Sequence, residues 1–246
     1  MGGSRVAEAC RDVALAYMMP FISGKDSLNN EYRVNGERVP VIPTLVISAV
    51  GVIDDAAQTV DMSLKAPGNL LYLVGKTRNE LAGSHYAEVI GRDTFEQLFP
   101  DTNVPQVNIS HAYAIMKSLG AAIRQGLACS CHDLSEGGLA VALAEMAIAG
   151  SLGVEADLPD TPPAEDPYRE LWPIVQLFSE SASRFIVEVI PEQREAFEHY
   201  MHRNGVVDIQ HIGTVTNTTD FVIRSQDELI SLSLAQLQEA WKGGQA

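Results

Sequence analysis

From Leu127 to Ala149 the chain reads LACSCHDLSEGGLAVALAEMAIA. Leu127 to Cys131 is a short strand candidate, and Gly138 to Ala149, dense in Ala, Leu and Met, is expected to form a helix packed closely on a sheet. The polar, glycine-containing loop between them completes a strand-loop-helix unit. Downstream, FIVEVI (Phe185 to Ile190) predicts a strand and Glu192 to Arg203 a helix, with Val207 to Val215 and Phe221 to Arg224 as a closing hairpin. Upstream, LLYLVG (Leu70 to Gly75) predicts a buried strand and Asn79 to Ile90 a helix. Ser110 to Arg124 predicts another helix, with Ala112, Ile115, Met116, Leu119 and Ile123 on one face and Ser110 placed to cap its first turn. Alternating elements of this kind predict an α/β or α+β fold.

Further toward the N-terminus, Val6, Ala9, Val13, Ala16 and Tyr17 recur at helical spacing, so Ser4 to Met19 reads as an amphipathic helix ended by Pro20. TLVISAVGVI (Thr44 to Ile53) is rich in β-branched residues and predicts a mostly buried strand closed by an Asp54-Asp55 turn. Pro67-Gly68 marks a boundary, which divides the chain into domains 1–66 and 67–246. The proline-rich, acidic stretch from Pro159 to Pro173 predicts an exposed insertion. No internal repeat is visible. A chain that opens on a helix leading directly into a Gly-Lys-Asp-Ser loop is expected to be part of a longer protein.

With 246 residues, 46% of them apolar, the chain can bury a substantial core. A net charge of −15 argues against a nucleic-acid partner, because tracking a phosphodiester backbone needs clustered Lys and Arg. Acidity still permits ATP, since Mg²⁺ can bridge carboxylates and phosphates. No apolar run reaches the length needed to span a bilayer and no signal-peptide core is present, so no membrane partner and a cytoplasmic location are expected. Three cysteines, Cys10, Cys129 and Cys131, give no disulfide framework.

Three loops carry candidate chemistry. In Ser23-Gly24-Lys25-Asp26-Ser27-Leu28, Gly24 lets backbone approach a phosphate, Lys25 offers a point charge and Ser27 a hydroxyl. This loop lacks the Walker A pattern, because Met19 stands where the first glycine is required; an ordinary turn with a solvated lysine is the alternative. In His132-Asp133-Leu134-Ser135-Glu136-Gly137-Gly138, Asp133 can take Mg²⁺ and Ser135 can contact phosphate. The alternative there is a simple N-cap by Ser135 or Glu136. In Ser179-Glu180-Ser181-Ala182-Ser183-Arg184, Glu180 and Arg184 are candidates for an internal ion pair or for anion contact. Cys129, Cys131 and His132 lack zinc-site spacing and read as core thiols beside a strand histidine. No Gly-x-Ser-x-Gly elbow is present.

SGKDSLNNE (Ser23 to Glu31), PGNLLYLVG (Pro67 to Gly75), HDLSEGGLAVALAE (His132 to Glu145) and LFSESASRF (Leu177 to Phe185) together resemble the second half of the phosphoribosylformylglycinamidine synthases. Each motif alone is weak, but the four follow in order across roughly residues 3–215. Aminoimidazole ribonucleotide synthetase and selenophosphate synthetase share looser versions. The resemblance implies a partial ferredoxin-like A domain, which helps to build a central barrel, followed by an α/β B domain of the aminoimidazole ribonucleotide synthetase C-terminal type. It implies ATP-dependent conversion of formylglycinamide ribonucleotide and glutamine-derived ammonia to the amidine, with ATP/ADP and Mg²⁺ as cofactors.

On that resemblance Gly24, Lys25 and Ser135 fall at nucleotide contacts, Ser27 at a substrate contact and Asp133 at a magnesium ligand. Some members carry Asn where this chain has Lys25, and the charge of Lys25 excludes a metal role. Glu180 and Ser181 match a Glu-Ser pair that binds substrate in the family's catalytic half, with Arg184 beside it. The family's catalytic histidines lie outside these motifs, so the chain alone is expected to be an inactive piece with no catalytic residue of its own. Implied partners are the N-terminal half of the same enzyme, a glutaminase domain or subunit, and small nucleotide substrates. A homodimer is expected through apolar surface that an incomplete A domain would expose. Two alternatives remain: a non-catalytic scaffold or interaction module of the same fold, and another ATP-dependent enzyme of the superfamily.

Overall fold

The structure is a computed structural model that describes residues 2–25, 30–41, 44–158, 168–225 and 227–243. The chain divides into two compact units, 1–54 and 55–246.

The first unit contains helix α1 (Gly2–Tyr17) and an antiparallel hairpin of β1 (Glu31–Val34) and β2 (Glu37–Pro40). Asn35-Gly36 makes its two-residue turn, a strong hairpin signal in sequence. The strand expected over residues 44–53 is not formed. The segment has no regular secondary structure and is exposed, with Val46 at 83%, Val50 at 89% and Val52 at 93% of full exposure. Its β-branched residues suit a pleated surface, but the first unit's only ladder among the described residues is β1–β2, so the segment has no neighbour to pair with.

In the second unit a 3-10 turn at Ala56–Gln58 leads through residues 59–69 into β3 (Leu70–Val74), α2 (His85–Ile90), α3 (Arg92–Leu98) and α4 (Ile109–Arg124). There follow β4 (Ser130–Asp133), α5 (Gly138–Gly150), β5 (Gly153–Asp157), α6 (Trp172–Phe178) and β6 (Phe185–Val189). The last elements are α7 (Arg194–Arg203), β7 (Ile209–Thr216), β8 (Asp220–Ser225), β9 (Asp227–Ser233) and α8 (Leu234–Gly243). Seven strands form one mixed sheet in the order β4-β6-β3-β7-β5-β8-β9, in which β5 and β8 are the parallel pair. The α/β character expected from the alternating pattern is present.

Side-chain alternation along β3 and β6 builds a core on each face of the sheet. Leu71, Leu73 and Ile186 face the layer that contains α5, α6 and α8, whereas Tyr72, Val74, Val187 and Val189 face α4 and α7. Helix α5 is apolar almost all round because it is covered by the sheet on one side and by α6 and α8 on others. Leu143 and Met146 are fully buried, each contributing about 1.5–3 kcal/mol by removal from water. A satellite cluster of Leu81, Phe95, Phe99, Tyr168, Trp172 and Val175 joins α3 and α6.

Several expected boundaries shift. The helix expected over 79–90 begins only at His85, where Ser84 caps it, and a separate α3 follows Gly91. Helix α4 is capped by Asn108, whose side chain accepts the His111 N–H at 3.1 Å, so Ser110 is the second residue of the helix rather than its cap. β4 begins three residues later than expected, because its pairing with β6 runs from Ser130 opposite Glu188 to Asp133 opposite Phe185. The Pro159–Pro173 insertion lies outside the described residues as far as 167; its last part starts α6, with Pro173 in the first turn and Trp172 buried.

The closing hairpin of β7 and β8 is also not formed, because β5 lies between the two strands. The 216–220 turn crosses the start of β5 at Gly153, where a Cβ would stand 2.3 Å from Thr216 Oγ1 and 2.6 Å from the Asp220 carbonyl oxygen. A residue without a side chain is what allows that crossing. β8 instead forms its hairpin with β9.

Residues 59–69 are clamped to the sheet. Asp61 O accepts the Cys131 N–H at the edge of β4, and Leu64 N–H reaches Met146 O. The Asp61 carboxylate accepts from Lys65 Nζ at 2.5 Å and from the Ser63 hydroxyl and N–H, which together hold its pKa down at about 2 against an ordinary 3.8. A folded-state pKa below the unfolded one means stability present above about pH 4 and lost as pH falls through about 2. A carboxyl NMR titration is expected to find Asp61 still ionised at pH 3; a midpoint near 4 would show that its contacts with Ser63 and Lys65 are open in solution.

Candidate functional site

β4 ends at Asp133, and the turn Leu134 to Gly137 carries the chain into α5. Burial of Leu134, together with its N–H donated to Arg184 O at 3.0 Å, pins the turn and leaves the Asp133 side chain 61% exposed. Ser135 donates its hydroxyl to Asp133 Oδ2. On the inner side His132 Nε2 lies 2.7 Å from Glu145 Oε2 of α5, and its Nδ1 lies 3.7 Å from Asp133 Oδ1. An outward-facing carboxylate and hydroxyl therefore stand together, with a histidine anchored to α5 behind them.

Neither Ser135 nor Glu136 caps α5. The N-cap residue is Gly137, in the left-handed region (φ 78°), and Glu180 from across the fold accepts its N–H at 2.8 Å. Gly138 follows with φ 67°, and a Cβ there would stand 2.5 Å from Ser179 O, so only glycine lets the start of α5 lie against residues 177–179.

The Ser179 to Arg184 loop is largely internal. Ser179 and Ser181 are fully buried with their hydroxyls 3.0 Å apart. Ser179 Oγ donates to Arg78 O at 2.8 Å, and Ser181 Oγ accepts the Arg78 N–H at 3.1 Å. Arg184 is 1% exposed. Its Nε donates to Ser181 O at 3.1 Å, Nη1 to Thr77 Oγ1 at 3.0 Å and Nη2 to Ser179 O. Burial lowers its pKa to about 10, with Glu80 and Glu180 opposing the shift and Arg78 adding to it, so it remains a cation at neutral pH. The internal Glu180–Arg184 ion pair considered from the sequence is replaced by separate networks: Arg184 serves carbonyl and hydroxyl oxygens, and Glu180 serves backbone N–H groups.

Of the residues singled out in the sequence, Asp133 and Ser135 are brought together, and Glu180, Ser181 and Arg184 form a neighbouring loop joined to them through Gly137. Gly24 and Lys25 are exposed in the first unit, and Ser27 lies outside the described residues. Cys129 and Cys131 are thiols pushed up to about 11 and about 12, chiefly by burial, with Glu188 raising the first and Asp133 the second.

Two buried carboxylates were not singled out. Glu188, fully buried in β6, accepts from Lys65 N–H, Ala66 N–H, Asn69 Nδ2 and Ser130 Oγ at 2.7–3.2 Å. Glu80, 3% exposed, accepts the Gln106 N–H at 3.0 Å, and its Oε2 has no hydrogen-bond partner among the described residues. The sequence signal for Glu188 is one acidic residue inside the apolar run FIVEVI. Glu80 sits in a polar loop and carries no such signal.

The fold agrees with comparisons to known proteins. The chain is 35% identical over 241 residues to the phosphoribosylformylglycinamidine synthase subunit PurL of Synechocystis, covering 96% of this chain and 29% of that protein. It is 34% identical over 237 residues to the corresponding subunit of Limosilactobacillus reuteri. The chain thus spans less than a third of the length of these relatives. Among solved structures, Thermotoga maritima PurL complexed with FGAR superposes with a TM-score of 0.59 at 19% identity, over 74% of this chain and 30% of that one. The same protein complexed with ATP gives 0.54 at 17% identity, over 74% and 27%. Residues 66–226, most of the second unit, match the family described as AIR synthase related protein, C-terminal domain, and the chain belongs to that family.

Proposed function

We propose that the chain is part of a phosphoribosylformylglycinamidine synthase of purine biosynthesis and contributes an ATP/ADP-Mg²⁺ site centred on Asp133 and Ser135. In this reading residues 1–66 belong to the A-type, barrel-forming domain and residues 67–246 to the B-type domain. The observation that carries it is the exposed Asp133 carboxylate and its Ser135 partner where β4 opens into α5, in a chain aligned over 96% of its length with PurL subunits. Support also comes from the Thermotoga relative, which has been solved with ATP and with ADP. Function in the whole enzyme requires the remainder of that enzyme and a source of ammonia, so the chain by itself is expected to bind nucleotide without turning it over.

The donor set suits magnesium. Mg²⁺ keeps several waters and typically uses one or two carboxylates plus substrate phosphates. Asp133 supplies one outward carboxylate, and no group of three or more His, Cys, Asp or Glu among the described residues could hold a metal without the nucleotide. Mg²⁺ would neutralise phosphate charge beside Asp133, and the Ser135 hydroxyl would turn from the carboxylate to a phosphate oxygen. No helix among the described residues is long and apolar enough to cross a membrane.

Calorimetric titration with Mg-ADP and Mg-ATP tests the reading. Binding is expected to be saturable and at least ten-fold weaker in Asp133→Ala, about 1.4 kcal/mol or more. EDTA is expected to abolish it in the unaltered protein. Equal affinity in the variant would move the site elsewhere, and no binding at millimolar ligand would favour the scaffold reading.

A further inference from the structure

We infer that Glu180 is the resident anion of the start of α5 and closes that position to phosphate and other external anions. Glu180 Oε1 accepts two backbone N–H groups from separate segments, Gly137 at 2.8 Å and His85 at 3.0 Å, with His85 Nδ1 3.4 Å from the same oxygen. The side chain is only 16% exposed. Behind it the loop is held rigid: Glu180 N–H bonds to Glu80 O, Ser179 and Ser181 are fully buried, and Arg184 anchors both their carbonyls. The thirteen-residue α5 directs its dipole at this point, and a carboxylate there is electrostatically favoured.

The consequence bears on specificity. The free N–H groups of a helix start are commonly where a nucleotide phosphate is received. Here the protein's own carboxylate takes the Gly137 donor, so an incoming phosphate meets negative charge from Glu180 and, five residues from α5, from Asp133. Glu180 is thereby a specificity-determining residue rather than a substrate ligand. It leaves the outward Asp133–Ser135 side, with a bridging cation, as the approach for phosphate. The assignment of Glu180 stands on its own contacts, whereas this last consequence rests on the proposed function.

The test uses the full chain, without nucleotide, so that its failure is distinct from failure of the nucleotide reading. Glu180→Ala is expected to melt below the unaltered protein. Sodium phosphate or sodium acetate is then expected to restore at least half of that loss saturably, beyond a sodium chloride control of equal ionic strength. The unaltered protein should show no such anion-specific rise. An Ala variant indifferent to anions, or an unaltered protein stabilised as much as the variant, overturns the inference. Should Glu180→Ala not fold, Glu180→Gln carries the test: its neutral oxygen is a weaker acceptor, so the Gly137 and His85 amides are expected to exchange hydrogen several-fold faster than in the unaltered protein. Unchanged exchange at both overturns the inference.

Discussion

Replacement of Glu188 by alanine is expected to destabilise the second unit by about 3–5 kcal/mol, because it leaves several buried donors without an acceptor at about 1–3 kcal/mol each. The donors are Lys65 N–H, Ala66 N–H, Asn69 Nδ2 and Ser130 Oγ, all within 3.2 Å of the carboxylate. Glu188 shares a face of β6 with Ile186, the α5 side, and residues 64–69 cross there on their way into β3. An apolar side chain would leave the Lys65 and Ala66 N–H groups, and the buried Asn69 and Ser130 side chains, without their acceptor. The carboxylate is thus a multiple backbone cap, equivalent in purpose to the ladder bonds that a strand at that position would make. Glu188→Gln keeps the shape but turns one acceptor into a donor facing donors, so about half the loss is expected. Urea unfolding with an unchanged m-value measures both variants. A loss below about 1 kcal/mol for alanine would mean that water or a shifted segment replaces the carboxylate.

The same contacts explain which parts of this protein are legible in sequence. β3, α5, β6 and α7 are read correctly because their signal is local: LLYLV and FIVEV are short apolar runs, and GLAVALAEMAIAG has the length and composition of a buried helix. What fails is pairing over distance. Nothing in Val207 to Arg224 announces that β5, over fifty residues earlier, will insert between β7 and β8; the only hint is Gly153, whose missing side chain makes room for the crossing turn. Thr44 to Ile53 fails for the opposite reason. Its composition is that of a strand, but strand formation needs a neighbour, and residues 44–53 have none among the described residues.

The site divides similarly. Asp133 and Ser135 are legible because both lie in one loop with a recognisable order of residues. Glu180, Ser181 and Arg184 are legible as a motif but not as a geometry. Whether an Arg faces solvent or interior depends on Thr77 and Arg78, a hundred residues away, and sequence spacing carries none of that. The α5 cap is likewise misplaced when read locally: Ser135 satisfies the local pattern, but the Gly137 donor is taken by Glu180, forty-three residues later.

Arg184 is expected to tolerate no neutral replacement, and Arg184→Met is the informative one. Met roughly matches the aliphatic stem, so the change removes the guanidinium while limiting the cavity. Three partners then lose their donor inside the protein, Ser181 O, Ser179 O and Thr77 Oγ1, while the Glu80 carboxylate loses its nearby cation. Breaking such a buried charged network by removing one member costs about 3–5 kcal/mol. Arg184→Lys retains charge but cannot place donors in three directions from one plane, so it is expected to recover only a minority of the loss. Because Arg184 is 1% exposed, neither variant should change nucleotide affinity beyond what unfolding accounts for. Calorimetric affinity measured well below the melting transition separates the two roles. A folded Arg184→Met protein with nucleotide binding selectively lost would return Arg184 to the binding site; a destabilised protein with unchanged affinity assigns it to holding the Ser179–Ser181 loop, and through Glu180 the start of α5, in place.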